Sequence, residues 1–228
     1  MESKNIGVIG AGAWGTAMAH ALAKEGHSVE IWAMEADVVE GINEKHENFR
    51  FLEGFHLSHN VTATQDIQKA ASQKEFLILA SPSLYLAKTV SQLLGVSSIA
   101  DGSTCIGILT KGFVPSKDGP RLITETLEEV LPPSYKKALV YISGPSHAEE
   151  VAMGKLTGLI AASENPKNTI RFRELLKTQS LMVFSSLDVI GVQICAAAKN
   201  VVAVVFGCLD AVTQNSDFFV DNTESLLL

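Results

Sequence analysis

The chain has 228 residues, 46% of them hydrophobic and 19% charged, a composition that supplies a packed core and excludes global disorder. Its 18 Lys and Arg against 25 Asp and Glu leave a net charge of −7. That balance argues against nucleic acid as a partner and leaves room only for a local basic pocket for a small anion.

In chain order, KNIGVIG reads as a strand and AWGTAMAHALAKEG as a helix whose small residues let it lie close on a sheet. SVEIWAM is the next strand and EADVVEGINEKHE the next helix. EFLILAS, TCIGILT, ALVYIS, TGLIAAS and LMVFSS predict further strands, each rich in Ile, Leu, Val or Phe. Several show little alternation, as strands covered on both faces do. The helical patterns SLYLAKTVSQLL, GPRLITETLEEVL and PKNTIRFRELLKTQ lie between them. This order predicts an α/β fold with a doubly wound sheet over residues 1–188.

After Asp188 no strand pattern remains. A long helix over 189–210 is followed by the polar stretch TQNSDFFVDN and the start of a second helix with Asn222 or Thr223 as its cap. A domain boundary is therefore expected near residue 188, with residues 189–228 beginning a second, helical unit. The apolar run 189–209 is interrupted by Gln193, Lys199 and Asn200, which predicts a buried helix rather than a membrane span. Cys105, Cys195 and Cys208 form no CxxC and no dense framework, so buried, reduced thiols are expected. The start MESKNIGVIGAGAWG lacks the pattern of a signal peptide, and a cytoplasmic location is expected.

Gly10, Gly12 and Gly15 form a GxGxxG between the first strand and the first helix. In that context Gly10 permits a tight turn and Gly12 lets backbone approach a pyrophosphate. Gly15 allows close packing of helix on strand, and the helix N-terminus offers free N–H groups to the anion. A purely structural glycine turn explains the three positions less economically. The residue meeting an adenosine ribose is expected about 20 positions further on, where Glu35 stands after Met34. Glu35 either accepts from a ribose 2′-hydroxyl or simply supplies the acid favoured in a first helical turn. No Arg is adjacent to hold a 2′-phosphate, which leans toward NAD over NADP.

Two more strand ends carry polar residues. ILASPS ends in Ser-Pro-Ser, and ILTKGF places Lys111 at the carboxyl edge of an apolar strand, where ligands of open α/β sheets bind. In ISGPSHAEEVA, Gly144 and Pro145 form a turn and Ser146 is expected as a helix cap, with Glu149 completing a capping box. Backbone N–H groups from Gly144 to Ala148 remain available to a ligand oxygen. The His147 segment superficially suggests a metal site, but it lacks the Pro-Cys-x-x-Cys partner and is set aside.

Taken in order, GAGAWG, ASPS, LTKG, SGPSHAEEVA and GVQ followed by KNVVAV resemble the soluble NAD(P)-dependent glycerol-3-phosphate dehydrogenase family, over nearly the whole chain. The resemblance implies a Rossmann-type domain followed by a helical substrate domain. It implies interconversion of glycerol 3-phosphate and dihydroxyacetone phosphate by hydride transfer with NAD or NADP. It makes Lys199 the general acid/base and has Lys111 contact both substrate and cofactor. Gly144 and Ser146 would line the substrate site, while Ala148, Ala13, Trp14 and Met34 would contact cofactor. Ala13 stands where the family often has Ser, and Met34 where NADP users often have a basic residue, which again tilts toward NAD. A homodimer is a further expectation, with no nucleic acid and no integral membrane segment. Apolar burial in the Ala-rich helix is expected to lower the Lys199 pKa toward the working range of a base.

The family continues with an Asp in a Gly-Leu-Gly-Asp-Leu segment and an Arg-Asn pair that holds the substrate phosphate; neither occurs in these 228 residues. The chain is therefore expected to lack part of its substrate site. The rival readings are a dinucleotide-binding module with impaired catalysis, and an oxidoreductase of 3-hydroxyacid or ketopantoate type, against which LTKG and SGPS argue.

Overall fold

The computed structural model describes residues 2–117 and 119–214. Eight strands form one sheet: β1 (Asn5–Ile9), β2 (Ser28–Trp32), β3 (Val61–Thr64), β4 (Phe76–Leu79), β5 (Cys105–Ile108), β6 (Val140–Ser143), β7 (Thr157–Ala162) and β8 (Leu181–Ser186). Their spatial order is β3-β2-β1-β4-β5-β6-β7-β8. The chain winds outward from β1 to β3, then crosses back to place β4 on the other side of β1. This is the doubly wound arrangement expected, with its switch point between β1 and β4.

Helices α1 (Ala13–Lys24), α2 (Ala36–Glu40), α3 (Ile67–Ala71), α4 (Ser83–Ser91), α5 (Ser97–Ala100), α6 (Ile123–Val130), α7 (Ala148–Ala152), α8 (Pro166–Leu176) and α9 (Val189–Gln214) connect and flank the strands. Alternate strand residues feed two cores. Ile6 and Val8, Phe76 and Ile78, and Val140 and Ile142 join Met18, Leu22, Phe172 and Leu176 on one face. Ile9, Leu77, Leu79, Ile106, Ile108 and Tyr141 join Leu86, Val90, Ile123 and Leu127 on the other. Burial on both faces is why these strands carry so little polar alternation.

Two strand features were not legible beforehand. β3 is a four-residue edge strand, VTAT, too short and too polar for its pattern to stand out. β7 runs antiparallel to β6, whereas the other pairings are parallel. The connection explains this reversal. α7 has five residues, about 7.5 Å of helix at 1.5 Å per residue, too little to carry the chain back along a strand and restart it in parallel.

The expected helix 35–47 is α2 followed by a wider π-type turn, Gly41–Lys45, which ends at His46 in the left-handed region with φ 53°. The expected caps at Asn222 and Thr223, and most of the polar stretch before them, lie outside the described residues.

Two expectations about the last helix are corrected. α9 is not a buried helix: Val189 and Ala196 join a core, but Val201, Val204, Val205, Phe206, Leu209 and Val212 are exposed. The first part is held against β6 and β7, while these apolar side chains of the second part stay exposed. By length and composition Val189–Thr213 also meets the requirement for crossing a membrane. The cysteines divide in the same way, with Cys105 buried and Cys195 and Cys208 exposed on α9.

Candidate functional site

The site is built at the carboxyl ends of β1, β4, β5 and β6. Gly10 leaves β1 with φ +119°, and a Cβ there would lie 2.9 Å from the backbone of Ala80 and Ser81. Both conditions demand glycine. The loop is tied to both neighbours of β1: Gly10 N–H donates to the Trp32 carbonyl at 3.1 Å, and Ala80 N–H to the Ile9 carbonyl at 2.9 Å. Gly15 packs against the Gly10 carbonyl so closely that no side chain would fit. Gly12 caps α1 without a side-chain bond, and the space beside its Cα is open to at least 4 Å. The first-turn amides of α1 thus lack intrahelical partners and face open space, which is the form a pyrophosphate cradle takes.

A chain of buried hydroxyls stitches the neighbouring strand ends. Ser81 Oγ donates to the Ile9 carbonyl at 3.1 Å, Thr110 Oγ1 to the Ser81 carbonyl at 2.7 Å, and the Tyr141 hydroxyl to the Thr110 carbonyl at 2.9 Å. Burial pushes the Tyr141 phenol up to about 12, so it remains a donor. These bonds hold the turn on which Lys111 stands. Lys111 Nζ lies 5.1 Å from the centroid of the Trp14 ring, joining the β5 edge to the glycine loop.

Lys111 and Lys199 are neighbours. Lys111 is pushed down to about 8, first by burial, then by the charge of Lys199 and a hydrogen bond between the two side chains. Lys111 is half-buried at the edge of β5. Lys199, on α9, is half-buried as well.

A cleft of about 650 Å³ lies between the β6–α7 turn and α9, lined among others by Gly144, Ser146, Asp188, Ala196, Lys199 and Asn200. Of the sequence-predicted residues, Gly144, Ser146 and Lys199 thus meet in one cavity, with Lys111 beside Lys199. Ala148 is buried at the start of α7, which packs on α1. Ala13 and Trp14 open α1. Met34 and Glu35 lie apart, beyond β2: Met34 is exposed and its carbonyl accepts from Gln65, while Glu35 caps α2 without a side-chain bond.

Ser146 is not the helix cap it was expected to be. α7 starts at Ala148 with His147 as its extended N-cap. One residue too early to reach the first turn, the Ser146 hydroxyl donates back to the Gly144 carbonyl at 3.3 Å.

Two residues that the sequence did not flag help to hold this site. Gln193 is buried on α9. Its amide nitrogen donates to Thr124 Oγ1 at 2.8 Å and its oxygen accepts from Thr124 N–H at 3.2 Å, tying α9 to the start of α6. Asn48, fully buried, reaches the glycine loop itself. The signal for Gln193 was an amide inside an apolar helix; Asn48 had none.

Comparison with known proteins agrees with this architecture. The family model for the NAD-dependent glycerol-3-phosphate dehydrogenase N-terminus matches residues 5–169. Glycerol-3-phosphate dehydrogenase [NAD(P)+] of Treponema denticola is 54% identical over 98% of this chain and 64% of its own length. That of Bacillus velezensis is 35% identical over 99% of this chain and 62% of its own. The crystal structure of glycerol-3-phosphate dehydrogenase from Coxiella burnetii superposes with a TM-score of 0.80 at 27% identity, covering 94% of this chain and 63% of that one. The chain spans less than two thirds of the length of these relatives. On the match to the N-terminal family model and the identity to these relatives, the chain belongs to the NAD-dependent glycerol-3-phosphate dehydrogenase family.

Proposed function

We propose that the chain binds NAD or NADP in the glycine loop and, within an enzyme of this family, interconverts sn-glycerol 3-phosphate and dihydroxyacetone phosphate. The observation that carries this reading is the convergence of the cradle at Gly10–Gly15, Lys111 and Lys199 on one edge of the sheet. The cradle fits a dinucleotide: Gly12 leaves open space, and the α1 amides are free to take pyrophosphate oxygens. The bound nicotinamide would supply the hydride acceptor or donor. Trp32 and Met34 lead from β2 toward an adenosine ribose that Glu35 could hold. The absence of an adjacent Arg favours NAD.

The two lysines would divide the remaining work. Lys199 takes the C2 hydroxyl proton during oxidation and returns it to the ketone during reduction. Lys111, held over Trp14, supplies positive charge between substrate and cofactor. The charge of Lys199 adds to burial in lowering Lys111, which gives up a proton more readily than an isolated Lys. Gly144 and the Ser146 segment would orient the substrate in the cleft beside Lys199. The second reading is a binding module with impaired catalysis, which binds dinucleotide and turns over slowly.

Two measurements test this. Dinucleotide binding and dihydroxyacetone phosphate reduction are compared for these 228 residues and for Lys199→Ala. The parent should bind NADH and show weak turnover. At pH 7, below the Lys111 midpoint, Lys199→Ala should bind NADH as the parent does and lose roughly 100-fold or more of the rate. Near-parental turnover in Lys199→Ala removes that residue from the chemistry, and NADH binding by the parent without any turnover favours the binding-module reading.

A further inference from the structure

The segment between the π-type turn after α2 and β3, residues 46–60, carries none of the motifs that point to a dinucleotide, yet it inserts Asn48 under the glycine loop. Asn48 is 0% exposed. Its Nδ2 donates to the Ala11 carbonyl at 2.8 Å and to Thr16 Oγ1 at 2.8 Å. Thr16 Oγ1 in turn donates to the same Ala11 carbonyl at 3.1 Å. The other end of the amide is also satisfied: Asn48 Oδ1 accepts from Phe51 N–H at 3.2 Å, and the Asn48 carbonyl accepts from Leu52 N–H at 2.9 Å. Leu52 is itself buried, so the turn presenting Asn48 is anchored in the core. The amide orientation follows from these partners, because only the NH₂ group can face a carbonyl.

The geometry of the peptide unit turns this network into a statement about function. The Ala11 carbonyl and the Gly12 N–H belong to one planar trans peptide and point in opposite directions. Two donors hold the Ala11 carbonyl inward, toward Asn48 and Thr16. They thereby aim the Gly12 N–H outward, into the open space at the start of α1. Without them that peptide could rotate about the bonds that flank it, and Gly12 on one side offers little resistance.

We propose that Asn48 is a positioning residue for dinucleotide binding: with Thr16 it locks the Ala11–Gly12 peptide so that the Gly12 N–H faces a pyrophosphate oxygen. The inference rests on the reading of the glycine loop as a dinucleotide site. It adds the 46–60 segment to that site, from beneath, with no contact to the ligand.

The test measures NADH affinity by quenching of tryptophan fluorescence, alongside urea unfolding of the same samples. Asn48→Asp keeps the shape and replaces the donor with an oxygen facing the Ala11 carbonyl. It should weaken NADH binding roughly 10-fold or more, the equivalent of one buried polar group left unpaired. Thr16→Val, which leaves one Asn48 bond to Ala11 in place, should weaken binding less, and Thr16→Ser should restore it. These two variants carry the test if Asn48→Asp does not fold. Variants that lower the urea midpoint but bind NADH as tightly as the parent show a merely structural role and overturn the inference alone. A parent chain that binds neither NADH nor NADPH overturns the dinucleotide reading and the inference with it.

Discussion

Lys111 shows how a residue's chemistry depends on its neighbours. In sequence it is a cation at a strand end. In the fold it is half-buried, held over Trp14 and set beside Lys199, which brings it to about 8. Below that pH it is an ammonium able to meet a phosphate; above it the charge is lost. NADH affinity should therefore fall as pH rises through about 8, and Lys111→Gln should bind more weakly at pH 7 with a flatter pH profile. Removing the like charge with Lys199→Ala should shift the midpoint of the parental profile upward. Titrations between pH 6.5 and 10 check both, and an identical profile in Lys111→Gln would assign the dependence to another group. Lys111 and Lys199 were both legible as candidates because each interrupts an apolar segment. That the two stand side by side was not, because it depends on how α9 packs against β6 and β7.

At the scale of elements, α9 is held by a few specific contacts rather than by a continuous apolar stripe. Asp188 accepts from Gly191 N–H at 2.8 Å at the start of the helix, and Gln193 pairs with Thr124 one turn on. Past Asn200 the apolar side chains face outward. Gln193→Leu leaves the Thr124 N–H and hydroxyl without these partners in a buried place. It should cost about 1–3 kcal/mol in urea unfolding, and an unchanged midpoint would show that α9 is not fastened there. The strands tell a complementary story. Seven of the eight were readable because each is a short run of branched apolar residues. β3 escaped because an edge strand needs burial on fewer sides. The direction of β7 escaped because strand composition is the same for either orientation, and only the length of α7 decides it.

At the scale of the whole molecule, two buried histidines couple the fold to pH. His20 Nδ1 accepts from Ser58 N–H at 3.0 Å, and His27 Nδ1 accepts from Lys4 N–H at 3.2 Å. Protonation would place a hydrogen on each acceptor. Burial is the leading cause holding both pKa values below the ordinary 6.5, with the charge of Lys24 adding to it at His20. The unfolded chain therefore takes up protons near 6.5 while the folded chain resists until lower pH. Stability is full above about 7 and falls as pH drops through 6.5 toward the folded values. The urea midpoint should decline over that window, less steeply in His27→Gln, and a midpoint flat down to pH 5 would contradict this.

The sequence by itself determined the alternation of strands and helices, the glycine loop, the strand-end lysine and the Lys-bearing helix, because each is a local pattern of residue types. It also determined the family, because those patterns recur in a fixed order. Tertiary structure decided which residues share a space. It placed Lys111 beside Lys199, set Ser146 off its expected cap, left apolar side chains of α9 past Asn200 exposed and brought Asn48 under a loop 37 positions earlier. Such pairings depend on the path of the chain through the sheet, and no local pattern of apolar and polar residues encodes a contact between segments that far apart.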